Sequence, residues 1–223
     1  MKRGGVILCG GESTRMGIAK DTLPFGPETM LARIVRILGE ACEPIVVVAA
    51  REQTLPELPA AVIVTRDRQP NRGPLAGISA GLAALPSDVT AAYVTACDVP
   101  LLEPALVRHL FSLLADHAAV VPVSGGFLHP LAAVYRTSLI DLIEHLLESG
   151  PFGPSALFDR IATRRVEERE LRAVDPALGT LQNLNHPRDY LAALASAGFA
   201  APPEIAAKLA ASATSKQTND DSN

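Results

Sequence analysis

The chain has 223 residues, 48% apolar and 20% charged, a balance that excludes global disorder and suits one soluble domain large enough to bury its own core. Its net charge of −4 argues against bulk-charge binding to nucleic acid but leaves room for a local cationic pocket. No apolar run approaches the roughly 18 residues of a membrane span, and Cys9, Cys42 and Cys97 are too few and too scattered for a disulfide framework or a zinc site, so the expectation is reduced thiols in a cytoplasmic protein.

In chain order, Met1-Lys2-Arg3-Gly4-Gly5 imitates the basic start of a signal peptide, but the apolar stretch behind it stops after Val6-Ile7-Leu8-Cys9 at Gly10-Gly11, too short for export. Val6–Cys9 reads as a buried strand. Leu31, Ile34, Val35 and Leu38 fall at i, i+3, i+4 and i+7, the stripe of a core-facing helix. Ile45–Ala49 is continuous and mostly β-branched, as in a parallel strand covered on both faces. Ala61–Val64 reads as a strand, Leu75–Leu85 as a helix closed by Pro86, Ala91–Thr95 as a strand, and Leu106–Leu114 as part of a helix starting near Pro104. Val120, Val121 and Val123 suggest a strand, and Ala132–Tyr135 another. Leu139, Leu142, Ile143, Leu146 and Leu147 mark a helix stopped by Gly150-Pro151. Thr163–Glu170 reads as an edge strand or a surface loop, and Pro187–Ala197 as a helix opened by proline at its first position. This alternation implies βαβ units and an α/β, three-layer, doubly wound, mostly parallel sheet. The domain is expected over residues 1–198. Residues 199–223 read as a low-complexity, disordered tail with at most a weak helix over Ala201–Ala213.

The loop after the first strand reads Leu8-Cys9-Gly10-Gly11-Glu12-Ser13-Thr14-Arg15-Met16-Gly17-Ile18-Ala19-Lys20. It sits where α/β sheets bind ligands, beyond the carboxyl end of a strand. Its glycines let backbone N–H groups approach an anion, and Arg15 and Lys20 suit a polyphosphate. It is neither a Walker A loop nor a GxGxxG fingerprint. Taken alone it is either a phosphate cradle or a glycine-rich turn with two exposed cations.

The whole string resembles Leu-Ala-Gly-Gly-x-Ser-x-Arg-Met-Gly-x-x-Lys, the signature of small nucleotidyltransferases, and within them the molybdenum cofactor guanylyltransferase family. It matches at Leu8, Gly10, Gly11, Ser13, Arg15, Met16, Gly17 and Lys20, and departs at Cys9, where alanine is usual. The resemblance implies GTP binding by Leu8, Cys9, Gly10, Gly11 and Lys20, with Arg15 as a phosphate contact. Cytidylyl relatives resemble Leu-Ala-Ala-Gly, so Gly10 favours guanine.

Later segments extend the resemblance in the same order. Asp67 precedes Gly73-Pro74-Leu75-Ala76-Gly77, which looks like the family's turn and helix start after the guanine pocket. A carboxylate there can accept from guanine N1–H and N2; from its context alone Asp67 reads first as an exposed turn residue. The family's guanosine-contacting asparagine falls on Val48. Cys97-Asp98-Val99-Pro100 resembles Cys-Asp-x-Pro, whose aspartate binds Mg2+. Taken alone, Asp98 is a turn residue, a helix cap or a carboxylate suited to a metal completed by water and phosphate. His129-Pro130 matches a pocket-shaping segment, and Phe152-Gly153-Pro154-Ser155 loosely matches one in the acceptor half. Gln182-Asn183-Leu184-Asn185-His186-Pro187 resembles Asn-x-Asn-Thr-Pro, which implies acceptor-side roles for Asn183 and Asn185; capping of the last helix by Asn185 is the plainer alternative.

The implied chemistry is transfer of GMP from GTP to the terminal phosphate of molybdopterin, with release of pyrophosphate. The implied cofactor is Mg2+, and Arg15, Lys20 and Asp98 are the implied catalytic residues. The implied partners are GTP, molybdopterin and proteins that deliver or accept it; neither nucleic acid nor membrane is expected. Cytidylyl transfer, another acceptor and a non-catalytic GTP-binding module are the alternative readings.

Overall fold

The computed structural model describes residues 2–10, 18–67, 72–150 and 153–209. Strand β1 (Lys2–Leu8) opens the chain, and a tight 3-10 turn at Lys20–Thr22 leads into a two-stranded ribbon of β2 (Pro24–Phe25) and β3 (Glu28–Thr29). Then follow α1 (Met30–Gly39), β4 (Ile45–Ala49), β5 (Ile63–Arg66), α2 (Pro74–Ala83), β6 (Val89–Ala96) and α3 (Pro104–Ser112). The second half holds β7 (Ala119–Ser124), β8 (Phe127–Leu128), β9 (Ala132–Arg136), α4 (Ile140–Ser149), α5 (Pro154–Phe158), β10 (Thr163–Glu167), α6 (Glu168–Arg172) and α7 (Pro187–Ser196).

Seven of these strands form one path in the order β10-β7-β9-β6-β1-β4-β5, with β8 paired to β7. The run β6-β1-β4-β5 is parallel throughout, as the β-branched, continuously buried sequence of β4 requires. Strand β9 is antiparallel to both β6 and β7, so the sheet is mixed but mostly parallel.

Alternation along the central strands sends side chains to two cores. Ile7, Val47 and Tyr93 face α1 and α3 on one side; Val6, Val46 and Val94 face α2 and α4 on the other. Both layers are sealed at helix starts. Thr29 caps α1, its Oγ1 accepting from Ala32 N at 3.2 Å. Gly73 holds φ at 75° in front of Pro74 of α2, a left-handed position that favours glycine.

Helix α2 lies close on β1. A Cβ on Gly81 would sit 2.2 Å from Val6 Cγ1, and Val6 is fully buried in the sheet. Gly81→Ala gains helix propensity of up to about 1 kcal/mol but overpacks the core at a cost of about 1–3 kcal/mol. The expected outcome is a lower midpoint in thermal unfolding.

A third, smaller core joins the β2–β3 ribbon to α7 through Leu23, Phe25, Met30, Leu184, Tyr190 and Leu194. It also takes in Phe199, Ile205 and Leu209, the last two in a helical stretch over 203–209. The Phe199 ring fills the space beside Gly26 where a Cβ would be 2.6 Å away. Packing therefore continues past the expected boundary at 198 to residue 209, because three apolar side chains spaced along 199–209 reach this core. Residues 210–223 lie outside the described residues.

Candidate active site

The carboxyl ends of four adjacent parallel strands lie side by side at one edge of the molecule. Cys97-Asp98 follows β6, Cys9-Gly10 follows β1, Ala50 follows β4 and Asp67 follows β5. At about 4.8 Å per strand this row spans roughly 14 Å. Backbone bonds tie its members together: Cys97 N to Leu8 O at 3.0 Å, Cys9 N to Val48 O at 2.8 Å, and Asp67 N to Ala49 O at 2.9 Å.

At the β6 end, three distant segments meet on one carboxylate. Lys20 Nζ donates to Asp98 Oδ2 at 2.7 Å and to Asn185 Oδ1 at 2.9 Å. Asn183 Nδ2 donates to Asp98 Oδ1 at 3.2 Å, and Leu184 N donates to Asp98 O at 2.9 Å. Leu184 is buried in the third core, which turns its neighbours Asn183 and Asn185 toward the cluster. Asn185 is therefore engaged with Lys20. The cap position of α7 belongs to His186, whose N–H donates to Asp189 Oδ2 at 2.9 Å. Asp175 accepts from Gly179 N and Thr180 N at 3.1 and 2.9 Å, fixing the turn that delivers the two asparagines.

The Lys20 and Asp98 side chains keep 17% and 11% of their exposure, enough for a ligand to reach both. Among the described residues no group of three or more His, Cys, Asp or Glu could hold a metal. Among the described residues the donor here is the single carboxylate of Asp98, its oxygens bonded to Lys20 and Asn183; one carboxylate suits a hard cation that draws its other ligands from phosphate and water.

The cysteines do not make a nucleophile. Cys9 and Cys97 are buried free thiols, and the hydrogen bond between them, together with burial, holds Cys9 well above the ordinary thiol range. Cys42 is pushed up to about 12, chiefly by burial.

Among the described residues, the nearest atom to a Cβ added at Gly10 is Ala50 N at 3.7 Å, ordinary van der Waals contact. No described neighbour of Gly10 therefore requires glycine at this position. If the loop seats the nucleotide that the resemblance implies, Gly10→Ala leaves thermal unfolding unchanged and raises the KM for that nucleotide about tenfold, as measured by steady-state kinetics.

Asp67 is half-buried and lines a cavity of about 390 Å3 with Thr65, Arg66, Ser79 and Glu144. It stands three strands from Asp98 and outside the lysine cluster. Val48, the position matching the family asparagine, is buried in the core behind α2. A larger hollow of about 610 Å3, lined by residues from Arg51 to Arg66, contains none of the expected site residues. Gly11 and Arg15 lie outside the described residues, as do Ser13, Met16, Gly17 and Phe152.

Sequence reasoning passed over Asp21. Its side chain is buried at 2% exposure beside Lys20 and meets Gln53, 32 residues away. An acidic residue next to the lysine was the only signal, and it gave no partner.

The pattern of the MobA-like NTP transferase domain matches residues 5–170. The chain belongs to that family. Among curated relatives, a probable molybdenum cofactor guanylyltransferase of Mycobacterium tuberculosis (strain H37Rv) is 42% identical over 183 residues, covering 78% of this chain and 90% of the relative. In fold, the chain is similar to the molybdopterin-guanine dinucleotide biosynthesis protein A of Archaeoglobus fulgidus, with a TM-score of 0.72 at 22% identity, covering 89% of this chain and 99% of that one. A Mycobacterium tuberculosis protein solved in complex with manganese shares the fold at a TM-score of 0.54 and 17% identity, over 75% and 88% of the two chains. This MobA-like transferase is thus a nucleotidyltransferase, with its sheet arranged as the sequence pattern implied. No helix among its described residues is long and apolar enough to cross a membrane.

Proposed function

We propose that the chain transfers the GMP moiety of GTP to the terminal phosphate of molybdopterin, working in the cytoplasm, where its three thiols stay unpaired. The observation that carries this reading is the row of strand ends. A cation–carboxylate–amide cluster stands at one end, Gly10 in the middle and a carboxylate at the other end. We read the cluster as the phosphate end, with Gly10 and Asp67 toward guanine.

In this reading Asp67 accepts from guanine N1–H and N2, and the β1 loop with Lys20 and Arg15 holds the phosphates. A molybdopterin phosphate oxygen attacks the α-phosphorus of GTP. The bond between the α-phosphorus and its bridging oxygen breaks, and pyrophosphate leaves with that electron pair. A phosphate monoester with a second pKa near 6 is largely ionised at neutral pH, so no protein base has to take a proton. Asp98 would hold a divalent metal, for which we propose Mg2+, and a metal bound there supplies neutralisation of phosphate charge. Lys20 exchanges Asp98 for the charge that builds on the transferred and leaving phosphates, and Asn185 keeps its ammonium directed. Asn183 and Asn185 offer donor and acceptor edges on the acceptor side of the cluster. Proteins that deliver molybdopterin or accept the finished dinucleotide belong to the same proposal.

The test is pyrophosphate release with molybdate-loaded molybdopterin and Mg2+, comparing GTP, CTP, ATP and UTP. Release with GTP alone supports the reading. A preference for CTP overturns the base assignment, and silence with all four while GTP binds overturns the acceptor.

A further inference from the structure

The turn after β4, Ala50 to Gln53, is locked by the side chain of Gln53 and by Asp21 and Arg66 from outside it. Gln53 Oε1 accepts from Ala50 N at 3.0 Å, and Gln53 Nε2 donates to Asp21 Oδ2 at 3.0 Å. Gln53 N and Arg66 Nη1 both donate to Ala50 O, at 3.2 and 2.9 Å. Gln53 thus spends both ends of its amide: the oxygen closes the turn and the nitrogen ties it to the segment that carries Lys20. The turn touches the two places where the base end of a nucleotide would lie. Ala50 N is the atom nearest a Cβ on Gly10, and Ala49 O accepts from Asp67 N at 2.9 Å. Asp21 is 2% exposed, a buried carboxylate where solvent gives it no alternative partner.

We infer that Asp21 and Gln53 form a positioning pair that sets the β4 turn between Gly10 and Asp67, and so governs affinity and selectivity for the nucleobase rather than the chemical step. The inference rests on the nucleotide reading above. Neither residue touches the reacting phosphates; both act through Ala50. Loss of the pair frees the turn, so the base end loosens while the Lys20–Asp98 cluster keeps its own partners.

The polarity of the amide–carboxylate bond supplies a test that a merely structural role would not pass. Asp21→Asn still offers an oxygen to Gln53 Nε2. Gln53→Glu sets a half-buried carboxylate against the buried carboxylate of Asp21. The double variant Asp21→Asn/Gln53→Glu restores the bond in reverse, with the new amide donating to residue 53 while that residue still accepts from Ala50 N.

For wild type and the three variants, KM and kcat with GTP and with ATP would be measured. Exchange of the Ala50 amide would be followed by NMR in the ligand-free full chain. Expected are KM for GTP within about threefold of wild type for Asp21→Asn, raised about tenfold or more for Gln53→Glu with narrowed selectivity against ATP, and recovered in the double variant. kcat should stay within about threefold throughout. Ala50 exchange should speed up in Gln53→Glu and slow again in the double variant. Unchanged KM in Gln53→Glu, no recovery in the double variant, or Ala50 exchange indifferent to all three changes overturns the inference. Wild-type protein that binds no guanine nucleotide, with Ala50 exchange behaving as stated, overturns the nucleotide reading instead. Should Gln53→Glu fail to fold, Gln53→Met removes both bonds without adding charge, and its KM for GTP should also rise about tenfold; a wild-type KM there overturns the inference as well.

Discussion

Asp98→Asn is expected to lower pyrophosphate release with GTP by about 10²–10³-fold, the usual range for losing one electrostatic contact to a transition state. The substitution keeps the volume and one acceptor oxygen. Asn183 therefore retains a partner, and the backbone bond from Leu184 N to Asp98 O at 2.9 Å is untouched. What disappears is the negative charge. A bare carboxylate repels a triphosphate and becomes useful only when a cation lies between them. The two effects separate by titration. Without divalent metal the variant should bind GTP at least as tightly as wild type, since repulsion is gone and Lys20 is released from its 2.7 Å contact. With Mg2+, wild type should gain affinity and the variant should not. Calorimetric titration of GTP with and without Mg2+ reads this directly. A variant that turns over at the wild-type rate, or that gains as much from Mg2+ as wild type, removes Asp98 from the proposed role.

How much of this was open to a reader of the sequence depends on how local each cause is. The central strands announce themselves because each β-branched run is buried on both faces, and the helix stripes do so through their 3.6-residue period. Strand β5 begins at Ile63, two residues later than the expected Ala61, since Ala60–Val62 carry little to separate strand from turn. The β2–β3 ribbon has two-residue strands, too short for any periodicity. The direction of β9 was legible in principle: seven residues and no helix separate Ser124 from Ala132, too few for a parallel crossover. The site is different in kind. Lys20 and Asn185 stand 165 positions apart, and no spacing rule predicts their contact. Only resemblance to a family named them together. It had nothing to offer for Asp21 and Gln53, because their pairing depends on where β4 ends relative to the 3-10 turn at Lys20–Thr22.

Lys20→Met should separate what the cluster does for the fold from what it does for the reaction. Removing the ammonium leaves Asp98, with 11% side-chain exposure, without its cation. Breaking a fully buried pair costs about 3–5 kcal/mol; with both partners still reached by water the cost here should be smaller, about 1–3 kcal/mol. The thermal midpoint falls accordingly. Activity falls further, by about 10²–10³-fold in kcat/KM, because the lysine's charge is most useful when negative charge gathers on the departing pyrophosphate. The double variant Lys20→Met/Asp98→Asn distinguishes the two losses. With no buried charge left unpaired, its midpoint should return most of the way to wild type, a coupling visible as non-additivity in the stability cycle. Its activity should not return, since neither charge faces the phosphates. Thermal unfolding and pyrophosphate release on the four proteins of the cycle check this. Activity that climbs back together with the midpoint would mean that Lys20 and Asp98 act only by holding the β6 end of the site in shape, and the assignment of either to the phosphates would fall.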